Sequence, residues 1–215
     1  MRNLFNISER LAEGRDRLFM PTQGWNQTLV TQRTAGTLFN TYTTAKTVIN
    51  QQDLYGFYAN YFQLGSKLSI KVRGAVSNIV TTPGTMAFQV MLGSVVAWTS
   101  GNVQLNATAH TTLPFALDID LTCQLTNTSV GGAVAKLMGL GVLSGIMFTN
   151  TAGQTDGANS MTVMTVPVTN PALGTAFDST VSQILDFWVG FSISNAGNGV
   201  RIDQYSVYAE NMPAS

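Results

Sequence analysis

The stretch "LPFALDIDLTCQLT", residues 113–126, decides the fold class. Leu113, Phe115, Leu117, Ile119, Leu121, Cys123 and Leu125 take every second position, while Pro114, Ala116, Asp118, Asp120, Thr122 and Gln124 fill the gaps. A period of two places the first set on one face of an extended chain and the second set on the other. An apolar face of this length has to be buried, and a second sheet pressed against the first buries it.

The same alternation recurs on both sides. "KLSIKVRGAV" sets Leu68, Ile70, Val72 and Val76 against Lys67, Ser69, Lys71 and Arg73, and "MAFQVML" puts Met86, Phe88, Val90 and Leu92 in phase. "ILDFWVGFSIS" repeats it with Leu185, Phe187, Val189, Phe191 and Ile193. Across 200–210 the phase slips between Val200/Ile202 and Tyr205/Val207, which predicts a bulge or a change of buried face. "TTPG" (81–84) and "TSGN" (99–102) are turn signals, and "NAGNG" (195–199) predicts a hairpin link between the last two strands. Residues 37–50 read as one strand, 51–62 as a turn or short helix, and 135–148 and 161–168 as further strands. The expected architecture is all-β, a jelly-roll sandwich of about eight antiparallel strands. An immunoglobulin-like sandwich is the second choice, since the long strand at 113–126 suits a jelly roll better.

Composition agrees. The 215 residues suit a single all-β unit, and 27 threonines and 16 asparagines against 4 lysines match strands and turns. Eleven basic and eleven acidic residues leave a formal charge of zero, so no nucleic-acid partner is expected. The lone Cys123 excludes an intramolecular disulfide framework; its phase with the apolar face predicts a small buried hydrophobe. The most apolar window, "GGAVAKLMGLGVLSGIMF", contains five glycines and Lys136, which falls short of a membrane-spanning helix. Residues 1–19 show no apolar run followed by small residues, so synthesis in a cytoplasm is expected.

Charge is unevenly spread: residues 1–33 hold eight of the 22 charged side chains. The step separates an N-terminal arm, 1–36, from a sandwich domain, 37–215. Asn6 followed by Glu9 resembles a capping box, and Ile7, Leu11 and Leu18 are spaced for one side of a helix of two or three turns. Such a helix buries little alone and needs another surface.

Chemistry is sparse. His110 is the only imidazole and reads as a loop residue before a strand; no serine elbow or phosphate-binding loop occurs. Asp118 and Asp120 share an outward face with Cα atoms roughly 6.5–7 Å apart. A solvated strand face, a cation site or subunit contact, and catalysis are the three readings of that pair. Tyr55, Phe57, Tyr58, Tyr61 and Phe62 crowd "LYGFYANYF" and suit core packing, a subunit interface or, with Trp25, Trp98 and Trp188, a carbohydrate platform. "SVGGAVAKLMGLG" has glycines without phosphate-loop spacing and reads as flexible strand or loop backbone. No catalytic, metal-binding or cofactor-binding residue is assigned, and no cofactor is expected.

Three stretches, "LGSKLSIKVRGAVSN", "TPGTMAFQVMLG" and "FDST…ILDFWVGFSISNAGNGVRIDQYSVYAE", together with "LTCQLTNTSVGG", resemble landmarks of a jelly-roll family of tailed-bacteriophage virion proteins. The likeness covers about 64–210 and lies in strand grammar. It implies a non-enzymatic head decoration or cement protein on the capsid surface of a virion. Such proteins commonly form trimers over junctions between major capsid protein subunits, so a homotrimer bound to the major capsid protein is the expected assembly. The expected interface residues are Ile7, Leu11, Leu18, Trp25, Tyr55, Tyr58 and Tyr61, with the arm crossing to a neighbour. Two alternatives stand: a receptor- or carbohydrate-binding jelly-roll module of a tail or head fibre, and the self-assembling coat protein of a small virus. The second usually has a strongly basic arm, whereas five arginines against three acids give residues 1–33 a net of only +2.

Overall fold

The computed structural model describes residues 26–78, 82, 84–127, 132–149 and 161–210. Ile7, Leu11, Leu18 and Trp25, and the arm helix expected around them, lie outside the described residues. Fourteen strands are described: β1 (Asn26–Thr31), β2 (Phe39–Asn40), β3 (Lys46–Thr47), β4 (Tyr55–Phe57), β5 (Lys67–Asn78), β6 (Thr85–Leu92), β7 (Val95–Thr99), β8 (Val103–Leu105), β9 (His110–Leu125), β10 (Lys136–Gly145), β11 (Phe148–Thr149), β12 (Thr162–Val166), β13 (Gln183–Phe191) and β14 (Gly199–Glu210). Nine have five residues or more, close to the eight expected; the rest are two or three residues long.

The strands form two antiparallel sheets. Sheet A runs β1-β14-β5-β9-β10-β12, with β2 also on β14; sheet B runs β11-β8-β6-β13-β3, with β4 on β13 and β7 on β6. β5 and β6 lie in opposite sheets, as do β13 and β14, while β5 pairs with β14 and β6 with β13. That is a two-strand ribbon bent over both layers, the wrapping expected of a jelly roll.

The expected strand at 113–126 is β9, sixteen residues long. Phe115, Leu117, Ile119, Leu121 and Cys123 are buried, and Asp118 and Asp120 between them are exposed. Register explains how tightly this face closes: Ile119 lies beside Ile70, Leu117 beside Val72, and on the next strand Val207 and Tyr205 lie beside Ile70 and Val72. From sheet B, Phe88 and Phe187 face them, their rings 6.0 Å apart, with Phe115 5.6 Å from Phe88. The alternation frays at its end, where Leu125 is exposed.

The phase slip in the last strand is a bulge. Register shifts between Ile202 and Gln204, leaving Asp203 as the extra residue, and its carboxylate accepts from Arg201 Nε at 2.7 Å.

Three expectations need correction, and a fourth, the turn or short helix at 51–62, holds in part. Residues 37–50 form no single strand: Thr41, at φ +58°, turns the chain, and β2 and β3 join different sheets. "NAGNG" is not a hairpin, because β13 and β14 also belong to different sheets; it carries the chain from one layer to the other. Residues 51–62 combine a 3-10 turn at Gln51–Asp53 with the short strand β4. On the arm's side of the charge step, 26–31 are β1, the edge strand of sheet A, and Gln32 N donates to Tyr205 O at 2.8 Å. Sheet A therefore includes residues 26–31.

Candidate functional site

The outer face of sheet A is built in rows, because neighbouring antiparallel strands put side chains of one phase side by side. Gln204, Arg73, Ala116, Ser144 and Val163 make one row across β14, β5, β9, β10 and β12. Ser206, Lys71, Asp118, Val142 and Thr165 make the next, and Tyr208, Ser69, Asp120 and Leu140 the third. Charge gathers on one side: Lys67, Lys71, Arg73 and Arg201 stand with Asp118, Asp120, Asp203 and Glu210 on β5, β9 and β14. Arg73 makes a two-pronged bond with Asp118, Nη1 to Oδ1 at 2.7 Å and Nη2 to Oδ2 at 3.0 Å. Lys71, the cross-strand neighbour of Asp118, lies with its ammonium 5.6 Å from the Tyr208 ring.

Apolar side chains gather on the other side. Leu140, Val142, Met161 and Val163 are 51%, 48%, 66% and 62% exposed. The outward placement of Leu140 and Val142 follows from glycine. Gly139, Gly141 and Gly145 take inward positions of β10, and a Cβ on Gly139 would lie 2.2 Å from Trp98 Cδ1. A Cβ on Gly145 would meet the Phe148 ring at 3.0 Å. Rings from the opposite layer fill the inner side at Gly139 and Gly145, so Leu140 and Val142 stand outside while Leu137 and Leu143 remain in the core. Between the charged and apolar sides lies a groove of about 490 Å³, floored by Ala116 and Ser144 and flanked by Arg73, Gln204, Ile146 and Met161.

Other sequence candidates are placed as follows. His110 is the first residue of β9, opposite Asn78, and its Nε2 is buried without a hydrogen-bond partner among the described residues. Asp118 is committed to Arg73, and among the described residues no three His, Cys, Asp or Glu side chains converge as metal ligands would. Burial pushes the Cys123 thiol up, as for a small core residue. Asp53, 3% exposed, accepts from Thr34 Oγ1 at 2.8 Å and from the Arg33 amide at 3.2 Å, clasping the chain after β1 to the 3-10 turn.

The aromatic run divides. Phe57 and Phe62 are core residues, with Phe57 4.4 Å from Tyr61 and 5.0 Å from Tyr55, and Phe62 5.2 Å from Phe177. Tyr55 and Tyr61 are half-buried against them, and burial, with Tyr55 adding to it, pushes the Tyr61 phenol up to about 12. Tyr58 alone stands out, 81% exposed. Trp188, on the outer face of sheet B, donates its indole N–H to Asp186 Oδ2 at 2.6 Å. Asp186 also accepts from Thr47 Oγ1 at 2.8 Å, and partial burial raises its carboxyl above the ordinary aspartate value. Trp98 is buried between the layers.

No family model matches the chain, and no curated protein matches it. Among solved structures, it is similar to the CBM2 module of the evolved Dit of Lactobacillus casei BL23 phage J-1. The match has 11% identity and a TM-score of 0.31, and covers 90% of this chain and 100% of that one. Values this low establish neither a shared fold nor a shared function.

Proposed function

We propose that the chain is a non-enzymatic virion structural protein, a head decoration or cement protein that oligomerises and binds the major capsid protein lattice. The observation that carries this reading is the exposed band of Leu140, Val142, Met161 and Val163 on a sheet whose other face already closes the core. A sheet with one wet face alternates cleanly, and contiguous apolar surface beside polar residues marks a contact surface. Protein is the fitting partner, since four basic and four acidic residues balance on the same face and nucleic acid would require a basic excess. The strand grammar of 64–210 supports a phage virion as the setting.

Gold-labelled antibody against the chain, applied to purified particles of the phage that encodes it, tests the reading. Label spread over heads is the expected result; absence of the chain from particles overturns it. The carbohydrate-binding alternative has one observation in its favour, the free ring of Tyr58. Label confined to tails, with a glycan-array signal lost in Tyr58→Ala, would favour that reading instead.

A further inference from the structure

We infer that the outer face of sheet A is covered by the same face of a second copy, related by a two-fold axis running along the strands above the seam between β5 and β9. This rests on the oligomerising half of the reading above: it names what lies on the exposed band, and it puts a dimer where the resemblance implies a homotrimer. The axis sets β14, β5, β9 and β10 of one copy over β10, β9, β5 and β14 of the other, row upon row.

Each row is then complementary to itself. In the first, Gln204 comes over Ser144 of the second copy and so reaches the groove of about 490 Å³, while Arg73, held by Asp118 of its own chain, lies over Ala116. In the second, Lys71 meets Asp118 and Ser206 meets Val142. In the third, the Tyr208 ring covers Leu140 and Ser69 meets Asp120. Every contact occurs twice, as an isologous interface requires. Neighbouring registers are worse. An axis over the β9–β10 seam sets Asp120, which has no basic neighbour in its row, on Leu140, and covers the Asp118–Arg73 pair with Val142. An axis over the β5–β14 seam leaves the apolar band of β10 and β12 uncovered.

Size is adequate. Four strands about 4.8 Å apart, paired over about ten residues of ~3.4 Å, present roughly 600 Å² of projected face per copy, near the ~800 Å² per partner of an ordinary stable interface. Aligned packing of two twisted sheets at about 30° accommodates the stack.

Sedimentation equilibrium of the purified chain tests this. The expected result is a monomer–dimer equilibrium, weakened at least tenfold by Lys71→Glu and by Asp118→Lys, each of which sets like charges opposite one another twice. Mixing the two variants should restore the dimer, because the reversed charges then face each other and the native Lys71 and Asp118 do the same. Leu140→Lys, at an exposed position, should weaken the dimer without changing circular dichroism, or melting at dilutions where both proteins are monomeric. A wild-type chain that stays monomeric through the micromolar range, or forms a trimer, overturns the inference. So does a mixture that remains monomeric. A dimer in solution with no label on particles would sink the virion reading and leave the pairing intact; labelled heads with a monomeric chain would do the reverse.

Discussion

Ile119 and Asp120 are adjacent in β9, yet they should respond to truncation in opposite ways. Ile119 is fully buried between Ile70 and Gly141, whereas Asp120 is exposed beside Ser69 and Leu140. Ile119→Ala removes three carbons, worth about 2.4 kcal/mol at ~0.8 kcal/mol each. The cavity left behind raises the cost to roughly 3–4 kcal/mol, because a core built across two rigid sheets collapses little. With an unfolding entropy of about 2.1 cal/mol/K per residue, 215 residues lose ~2 °C of melting temperature per kcal/mol, so the variant should melt roughly 6–9 °C lower. Asp120→Ala should stay within about 0.5 kcal/mol, or ~1 °C. Differential scanning calorimetry of both variants in dilute solution reads the contrast directly. Equal losses, or a larger loss at Asp120, would refute the assignment of inner and outer faces on which the sandwich rests.

Gly174→Ala should destabilise by at least about 1–3 kcal/mol in urea titration, since its Cβ would lie 1.8 Å from the Ala97 carbonyl oxygen; an unchanged midpoint would deny that close approach. Arg73→Ala should cost no more than about 1 kcal/mol in the same assay, because its side chain is 36% exposed and that of Asp118 49%. Tyr61 keeps its proton longer in the fold than in the unfolded chain, so its contribution is complete below pH 10 and is lost as pH rises through about 12. Tyr61→Phe should therefore flatten part of the alkaline unfolding profile, and an unaltered profile would contradict this. Asp186 likewise binds its proton more tightly when folded, so that contribution is present below the ordinary value of 3.8 and fades as pH rises through the raised one. Urea midpoints of Asp186→Asn across the acid range should lack that fall; an identical slope in both proteins would count against it.

The strands that alternate cleanly, β5, β6, β9 and β13, were legible because each has one wet and one dry face and nothing else constrains its phase. The bulge in β14 was legible for the same reason, since one extra residue must invert the pattern. Partner choice was not. Alternation says which face is buried and is silent on which sheet a strand joins, so the link at 195–199 reads as a hairpin although it crosses between layers. Thr41 hid the break in 37–50, because a threonine at positive φ carries no sequence mark of the kind glycine gives. In the run 55–62 composition announced aromatic density without direction. The irregular backbone there, with Asn60 at φ +61°, sends Phe57 and Phe62 inward and Tyr58 outward. The residues that make the candidate surface were missed for a definite reason: "SVGGAVAKLMGLG" reads as flexible strand or loop backbone, yet Gly139 and Gly141, with Gly145 further on, face the core. Had the glycines been read as places where rings approach, Leu140 and Val142 would have stood out as the outward phase.

The two outer faces of the sandwich differ in a way the core cannot account for. Both sheets bury their inner sides in one core, and core stability places no demand on what their outer sides carry. Sheet B finishes much of its outer face with polar groups that satisfy one another: Trp188 donates to Asp186, Thr47 does the same, and Trp188 stands in register with Gln89 and Thr99. Sheet A instead keeps four aliphatic or thioether side chains in water beside an evenly balanced set of charges. At about 25 cal/mol per Å² of apolar surface, leaving that band wet forgoes stabilisation that threonine or glutamine at the same positions would not have offered. A substitution toward polar residues there would improve solubility and leave the core untouched. That the aliphatic residues stand there, next to a groove sized for long side chains and a ladder of opposite charges, is best accounted for by a covering surface of the same construction.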